Sequence, residues 1–437
     1  MEAPTKKPKL LGNIVVFLYA FVLLVLSWLN LKIVLEQYPA DAFLAKVHSD
    51  NMNFIDFSKY YLCGKVAFTP NSHEFYSYPN QKKLFDDLIN GGSEGNFPPA
   101  QAIEFPPYVL PLMYPISRLP FPKAFQFWTI LNWLGLASGI SLLCKLGADK
   151  NNKNTKVVAM VITLAALCAP PILRTFMVGQ PTGILFCFFS LYIYFFIKQK
   201  DILAGVFLSL TSIKPHYAVF MCIPALMQKR FKLVLAAAAC ETILLILAVW
   251  ASNLEGVLGY VHYVIATDTT APEAEHLVSH MVNLRGMLSI FLPAQALLLL
   301  SLSISFLALM ACGWLFFRGK DERWLFALLV LACLFLGPHT HMYDCLLVAI
   351  PAALTLGHDQ NDQNEQSDQS EQNKQIENSF WKKLWVIILA AYPIIAVFSL
   401  VAIGPLKETY YAFLPYSFFN FFLLCVAFLI CLWHSKS

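Results

Sequence analysis

Apolar runs recur along this chain, many of them close to the length needed to cross a bilayer. They limit its fold more than any other feature. A helix needs about 20 apolar residues to span the hydrocarbon layer. A backbone without water must also satisfy its own hydrogen bonds, which favours helices. Of the 437 residues, 58% are hydrophobic and only 13% charged, whereas a soluble domain carries about 25% charged residues. The expectation is an all-α polytopic membrane protein. No basic stripe or basic domain appears, which argues against nucleic acid as a partner. The net charge of +4 averages over two faces of a membrane and decides little.

Lysine and arginine placement orients the runs, because short cytoplasmic loops are enriched in them. Leu10 to Leu35 follows Lys6, Lys7 and Lys9. It is too long for a signal-peptide core and lacks a small-residue cleavage site, so it reads as a retained helix with a cytoplasmic N-terminus. Further basic clusters lie at 145–156, 198–200, 229–232, 318–323 and 382–383. Between successive clusters the chain must cross an even number of times.

That rule gives a span over 122–143, an outward span at Val157–Leu173 and a return at Thr182–Ile197. Two short helices, Ile202–Ile213 and Tyr217–Leu226, meet at Lys214-Pro215. Val234–Ala251 leads to an outer loop over 252–290. Ala294–Phe317, Trp324–Leu336, Met342–Leu356, Leu384–Ile403 and Ala412–Trp433 follow, for about twelve crossings with both termini inside. The first outer loop covers 36–121. It holds an amphipathic stretch, Gln81–Ile89, read as interfacial, and a short proline-punctuated stretch, 105–119, read as interfacial or partly inserted. Residues 358–379 are rich in Gln, Asn, Asp, Glu and Ser and read as a disordered cytoplasmic linker. The eleven cysteines show no paired framework and no metal-type spacing, so neither a disulfide nor a zinc site is expected.

Several polar residues fall at outer helix ends or in the outer loop: Asp56, Arg174, Gln180, Lys214, His339, His341 and Asp344. Ionisable groups near a bilayer are costly, so each is a candidate for function. Plainer readings stand beside this one. Asp56, in the polar run after the first apolar segment, could be a helix cap or a solvated acid. Lys214 could snorkel to the interface. Arg174 could pair with a headgroup phosphate. His339 and His341 are one residue apart and need a turn to meet at one ion, which favours hydrogen bonding over metal. Tyr60 and Tyr61 read as interface-belt residues that could equally stack on a sugar ring.

Four blocks then carry a resemblance. They are Asp56-Phe57 with Tyr60-Tyr61 and Gly64; Phe105-Pro106-Pro107-Tyr108; Gly179-Gln180-Pro181-Thr182 with Lys214-Pro215; and Gly337-Pro338-His339-Thr340-His341 with Tyr343-Asp344. In order and spacing the chain resembles glycosyltransferase family 87, within the GT-C superfamily of polyprenol-phosphate-sugar-dependent enzymes. Members of that family include mannosyltransferases of phosphatidylinositol mannoside synthesis. The resemblance implies a GT-C bundle with interfacial helices in the first outer loop. It implies Asp56 as the catalytic base, with Gln180, Lys214 and His339 or His341 lining the donor site. Tyr60, Tyr61 and Arg174 join them as substrate-binding candidates.

The expected organisation is a catalytic membrane module over 1–357, the linker over 358–380 and a C-terminal helix pair over 381–437. The expected partners are a polyprenyl-phosphate sugar donor (mannose or another hexose), a lipid or glycan acceptor and the bilayer of the inner cell membrane. No metal and no cofactor are expected. Phosphate is a good leaving group, so one carboxylate acting as base suffices where glycosidases use two. A transporter or flippase for a lipid-linked or polar solute is the alternative.

Overall fold

A computed structural model describes residues 55–89, 103–147, 175–176, 178–269, 281–289, 291–292, 294–318, 321–356 and 414–436. These residues form helices and no strand. The expected spans Leu10–Leu35, Val157–Leu173 and Leu384–Ile403, together with Arg174 and the 358–380 linker, lie outside the described residues.

Asp56 is not in a loop. It lies in the first turn of α1 (Ile55–Val66), where free backbone N–H groups favour a carboxylate. The amphipathic stretch forms α2 (Tyr78–Ile89). The proline-rich stretch forms only α3 (Val109–Ser117). Nine residues rise roughly 14 Å, too little to cross a bilayer. Then come α4 (Phe121–Gly147) and α5 (Thr182–Ile197), which pack along each other. Gly135 and Gly139 of α4 allow that approach: a Cβ on Gly135 would lie 2.7 Å from the Gly183 carbonyl oxygen. Small residues four apart serve this purpose where lipid supplies no hydrophobic drive between helices.

The chain continues with α6 (Asp201–Leu210), a 3-10 turn over Thr211–Ile213, and α7 (Pro215–Met227). Pro215 fits the first position of α7, where an N–H is not needed. It also pushes Lys214 into an extended conformation, φ −117° and ψ 95°. α8 covers Phe231–Thr269 and breaks at Asn253, whose φ is 60°. The expected outer loop over 252–290 is therefore helical as far as Thr269, a correction to the hydropathy reading. The polar residues Glu255 and His262 lower mean hydropathy there without interrupting helical geometry.

The last elements are α9 (Leu284–Leu288), α10 (Ala294–Arg318), α11 (Glu322–Leu336), a 3-10 stretch over Met342–Val348, α12 (Ala349–Leu356) and α13 (Leu414–Lys436). α11 is buried from Trp324 to Leu336 and forms the axis of the bundle core. Among the described residues, two helices are long and apolar enough to cross a membrane, over 231–266 and 296–318. Both expose large apolar side chains, including Leu235, Trp250, Leu299, Phe306 and Phe317. In water this would be unstable, and in lipid it costs nothing. Among the described residues, two of the expected crossings meet that test of length and composition, and the other described helices are shorter or less apolar.

A second core, the outer core, lies largely in the segment expected to form the first outer loop. It gathers Phe57, Tyr60, Tyr61, Phe75, Tyr76 and Tyr108 with Phe125 and Trp128, and closes against Leu244, Ala248 and Ala251 of α8.

Candidate active site

Five segments of the chain deliver polar side chains to one cavity of about 440 Å³. α1 supplies Asp56 and Lys59, and the irregular residues ahead of α3 supply Glu104 and Phe105. The Gly-Gln turn supplies Gln180, and the Lys-Pro junction supplies Lys214 and His216. The histidine turn supplies His339, His341 and Tyr343. Its apolar side is built from Tyr260, Val264 and Ile265 of α8 and Leu298 and Leu302 of α10. Ile265 is 58% exposed and Leu302 47%, so the cavity is open along these two apolar helices.

Each presenting segment is held by its own local device. Gly179 sits at φ +78°, a conformation that favours glycine, and a Cβ there would meet the Phe57 Cβ at 2.4 Å. Its carbonyl accepts from the Trp128 indole at 2.8 Å. Asn132 caps the start of α5 by accepting from the Gly183 N–H at 3.1 Å. Gln180 between them is 4% exposed, and its Oε1 has no hydrogen-bond partner among the described residues. A buried amide oxygen without a partner costs about 1–3 kcal/mol, unless a ligand group fills it.

Lys214 is tied down. Its ammonium lies 2.5 Å from Oδ1 of the fully buried Asp344 and 4.7 Å from the centre of the Tyr343 ring. The second Asp344 oxygen accepts from the His341 backbone N–H at 3.1 Å. One carboxylate thus fixes both the lysine and the histidine turn. The turn is held from behind as well: Asn283 donates to the Gly337 carbonyl at 2.6 Å, Arg285 to the Pro338 carbonyl at 3.4 Å, and the Val282 N–H to the Thr340 carbonyl at 2.9 Å. α13 braces that strap, with Asn420 donating to the Val282 carbonyl at 3.0 Å.

Asp56 faces Lys59 at 3.4 Å, with side chains 13% and 12% exposed. This is a partly screened pair, one turn apart on α1. Burial pushes the Tyr60 phenol well above its ordinary range, and the Asp56 charge adds to the effect.

The cavity brings together Asp56, Gln180, Lys214, His339 and His341. It does not bring in Tyr60 or Tyr61. Tyr60 is 1% exposed and stacks on Phe105 with ring centres 3.9 Å apart. The Tyr61 hydroxyl donates to the Leu119 carbonyl at 2.9 Å. Both belong to the outer core. Lys59, Glu104 and His216 line the cavity without having stood out in the sequence, and Tyr343 lines it as a member of the last block. Glu104 sits one residue before Phe105-Pro106-Pro107-Tyr108, and its place beside that block is the only sequence signal it carried. Among the described residues, no group of three His, Cys, Asp or Glu side chains is arranged to hold a metal ion.

An all-helical membrane protein with a polar cavity assembled at the ends of its helices has the layout of a membrane-embedded enzyme. Residues 104–349, more than half of the chain, match glycosyltransferase family 87, and the chain belongs to that family. It is a membrane glycosyltransferase. No curated protein and no solved structure matches it. Glu104, Gln180, Lys214, His216, His339 and His341 fall inside the matched stretch, and Asp56 precedes it.

Proposed function

We propose that the enzyme moves a hexose, mannose being the first candidate, from a polyprenyl-phosphate-sugar donor to a lipid or glycan acceptor at the extracytoplasmic face, with inversion. The observation that carries this reading is the two-sided cavity. A polar end with Asp56, Gln180 and Lys214 adjoins an apolar side open along α8 and α10. An isoprenoid chain suits the apolar side, because leaving through it keeps the chain in lipid. The phosphate and sugar then meet the polar end.

In this reading Asp56 accepts the proton of the acceptor hydroxyl as that oxygen attacks the anomeric carbon. The bond from the anomeric carbon to the phosphate oxygen breaks on the opposite face, and polyprenyl phosphate leaves as a monoester. Lys59, 3.4 Å from Asp56, orients its carboxylate. Lys214 gives one N–H to Asp344 and has two more for the departing phosphate. Gln180 Oε1 suits a sugar hydroxyl, which would supply the hydrogen that this atom lacks.

The test is Asp56→Asn, which keeps size and removes the base. Turnover of the purified variant on a polyprenyl-phosphate hexose should fall by about 10²–10⁴. Near-normal turnover would end the assignment of Asp56 as base.

A further inference from the structure

Glu104 approaches His339 at the cavity wall, with its Oε2 4.0 Å from the ring Nδ1 and both side chains about a quarter exposed. We propose that Glu104 is a positioning residue that holds protonated His339 against the phosphate of the lipid-linked donor. This rests on the donor class proposed above.

Two observations carry it. The first is how firmly the Glu104 backbone is held. On one side, buried Gln81 grips Ile103 twice: its Oε1 accepts from the Ile103 N–H at 2.9 Å, and its amide donates to the Ile103 carbonyl at 3.3 Å. Tyr263 of α8 donates to the same Gln81 oxygen at 3.0 Å. On the other side, Tyr76 donates to the Phe105 carbonyl at 2.9 Å, while the Phe105 ring stacks on Tyr60. The residues around His339 are clamped in the same manner by Asn283, Arg285 and Val282. Two braced segments therefore present a carboxylate and an imidazole to each other.

The second observation is charge balance. Apart from histidines, the charged side chains lining the cavity among the described residues are Asp56, Lys59, Glu104 and Lys214, two of each sign. Asp344 stands behind Lys214 and tips the sum negative. The neighbours His216 and His341, with the phenols Tyr260 and Tyr343, add no fixed cation while the histidines are neutral. A phosphate dianion needs more positive charge than this. Glu104 alone would repel it, but a carboxylate that keeps an imidazole charged converts that repulsion into attraction.

The experiment is a pH titration of farnesyl phosphate binding to the full-length protein in detergent. It uses wild type, Glu104→Gln, Glu104→Asp, His339→Asn and the Glu104→Gln/His339→Asn pair. Wild type should bind more tightly as pH falls. In Glu104→Gln, binding at neutral pH should weaken about tenfold and recover about one pH unit lower, the size of effect a nearby opposite charge produces. In the His339→Asn background the same substitution should change binding less than about twofold, because its target is gone.

A wild-type profile for Glu104→Gln, or an equal loss in the His339→Asn background, would overturn the pairing and leave the donor class standing. No binding by wild type at any pH would instead sink the donor class, and this inference with it. If Glu104→Gln fails to fold, Glu104→Asp decides: an intermediate profile supports the pairing and an unchanged one overturns it.

Discussion

The molecule has two cores, and they are built on different principles. The bundle core around α11 is aliphatic and phenylalanine-rich, and many of its hydrogen bonds stay within helices, as where Ser190 donates to the Phe186 carbonyl and Thr355 to the Pro351 carbonyl. The outer core is rich in tyrosine. There Tyr61, Tyr76 and Tyr108 donate to Leu119, Phe105 and Ser212, each in another segment of the chain. Helices close their own ladders and ask only for packing. Irregular segments have carbonyls to satisfy, and a phenol does that while burying a large ring. The bundle therefore supplies stability, and the outer core fixes the segments that carry Asp56 and Glu104.

The largest effect should come from Asp344, which ties the Lys-Pro junction to the histidine turn. Asp344→Ala strands a largely buried ammonium at Lys214, and losing one partner of a buried pair costs about 3–5 kcal/mol. Thermal melting should drop sharply and turnover should vanish. Lys214→Met added to Asp344→Ala should recover most of the melting temperature without the activity. If melting does not recover, the pair is not what holds this junction.

Gly179→Ala probes the outer region next. It forces a side chain into positive φ and against Phe57 Cβ, at a cost of about 2 kcal/mol. Turnover should fall more than tenfold with only a modest fall in melting temperature, because α1 shifts while α11 does not. An equal loss in both measurements would mean that the two cores act as one.

In the bundle the pattern should reverse. Leu329→Ala removes a fully buried side chain from α11. Lipid is as apolar as leucine, so little transfer energy is lost and the cavity term dominates, at about 2 kcal/mol. Melting should fall while kcat/KM of the folded protein stays near wild type.

Tyr76→Phe leaves the Phe105 carbonyl without its donor and should cost about 1 kcal/mol. Its effect on turnover should exceed what that destabilisation explains, because Glu104 is loosened. Leu299→Ala, on the exposed face of α10, is the control: less than about 0.5 kcal/mol and unchanged kinetics are expected. A strong effect there would show that this face packs against something other than lipid.

Several features were legible in the sequence because they depend on near neighbours in the chain. Apolar length and period set the helices Thr182–Ile197, Ala294–Arg318 and Leu414–Lys436 close to where hydropathy put them. Lys214-Pro215 marked a real junction, since proline dictates the conformation before it and the helix start after it. The glycine of Gly179-Gln180-Pro181 marked a turn that needs positive φ. The helical continuation of α8 to Thr269 was missed because hydropathy reports on lipid contact rather than on backbone geometry.

By itself, then, the sequence determined a helical membrane protein, the main elements and the set of polar residues clustered near one face. Only the tertiary structure decided which of them share a cavity and with whom each is paired. Lys214 and Asp344 are 130 positions apart, and no local pattern links them. Tyr60 and Tyr61 follow Asp56 on the same helix, yet they pack into the second core, Tyr60 stacked on Phe105 and Tyr61 bonded to the Leu119 carbonyl. Glu104 enters the site because Gln81 and Tyr76 clamp the residues around it. Such pairings come from packing between distant segments, a property of the folded chain that no window of sequence contains.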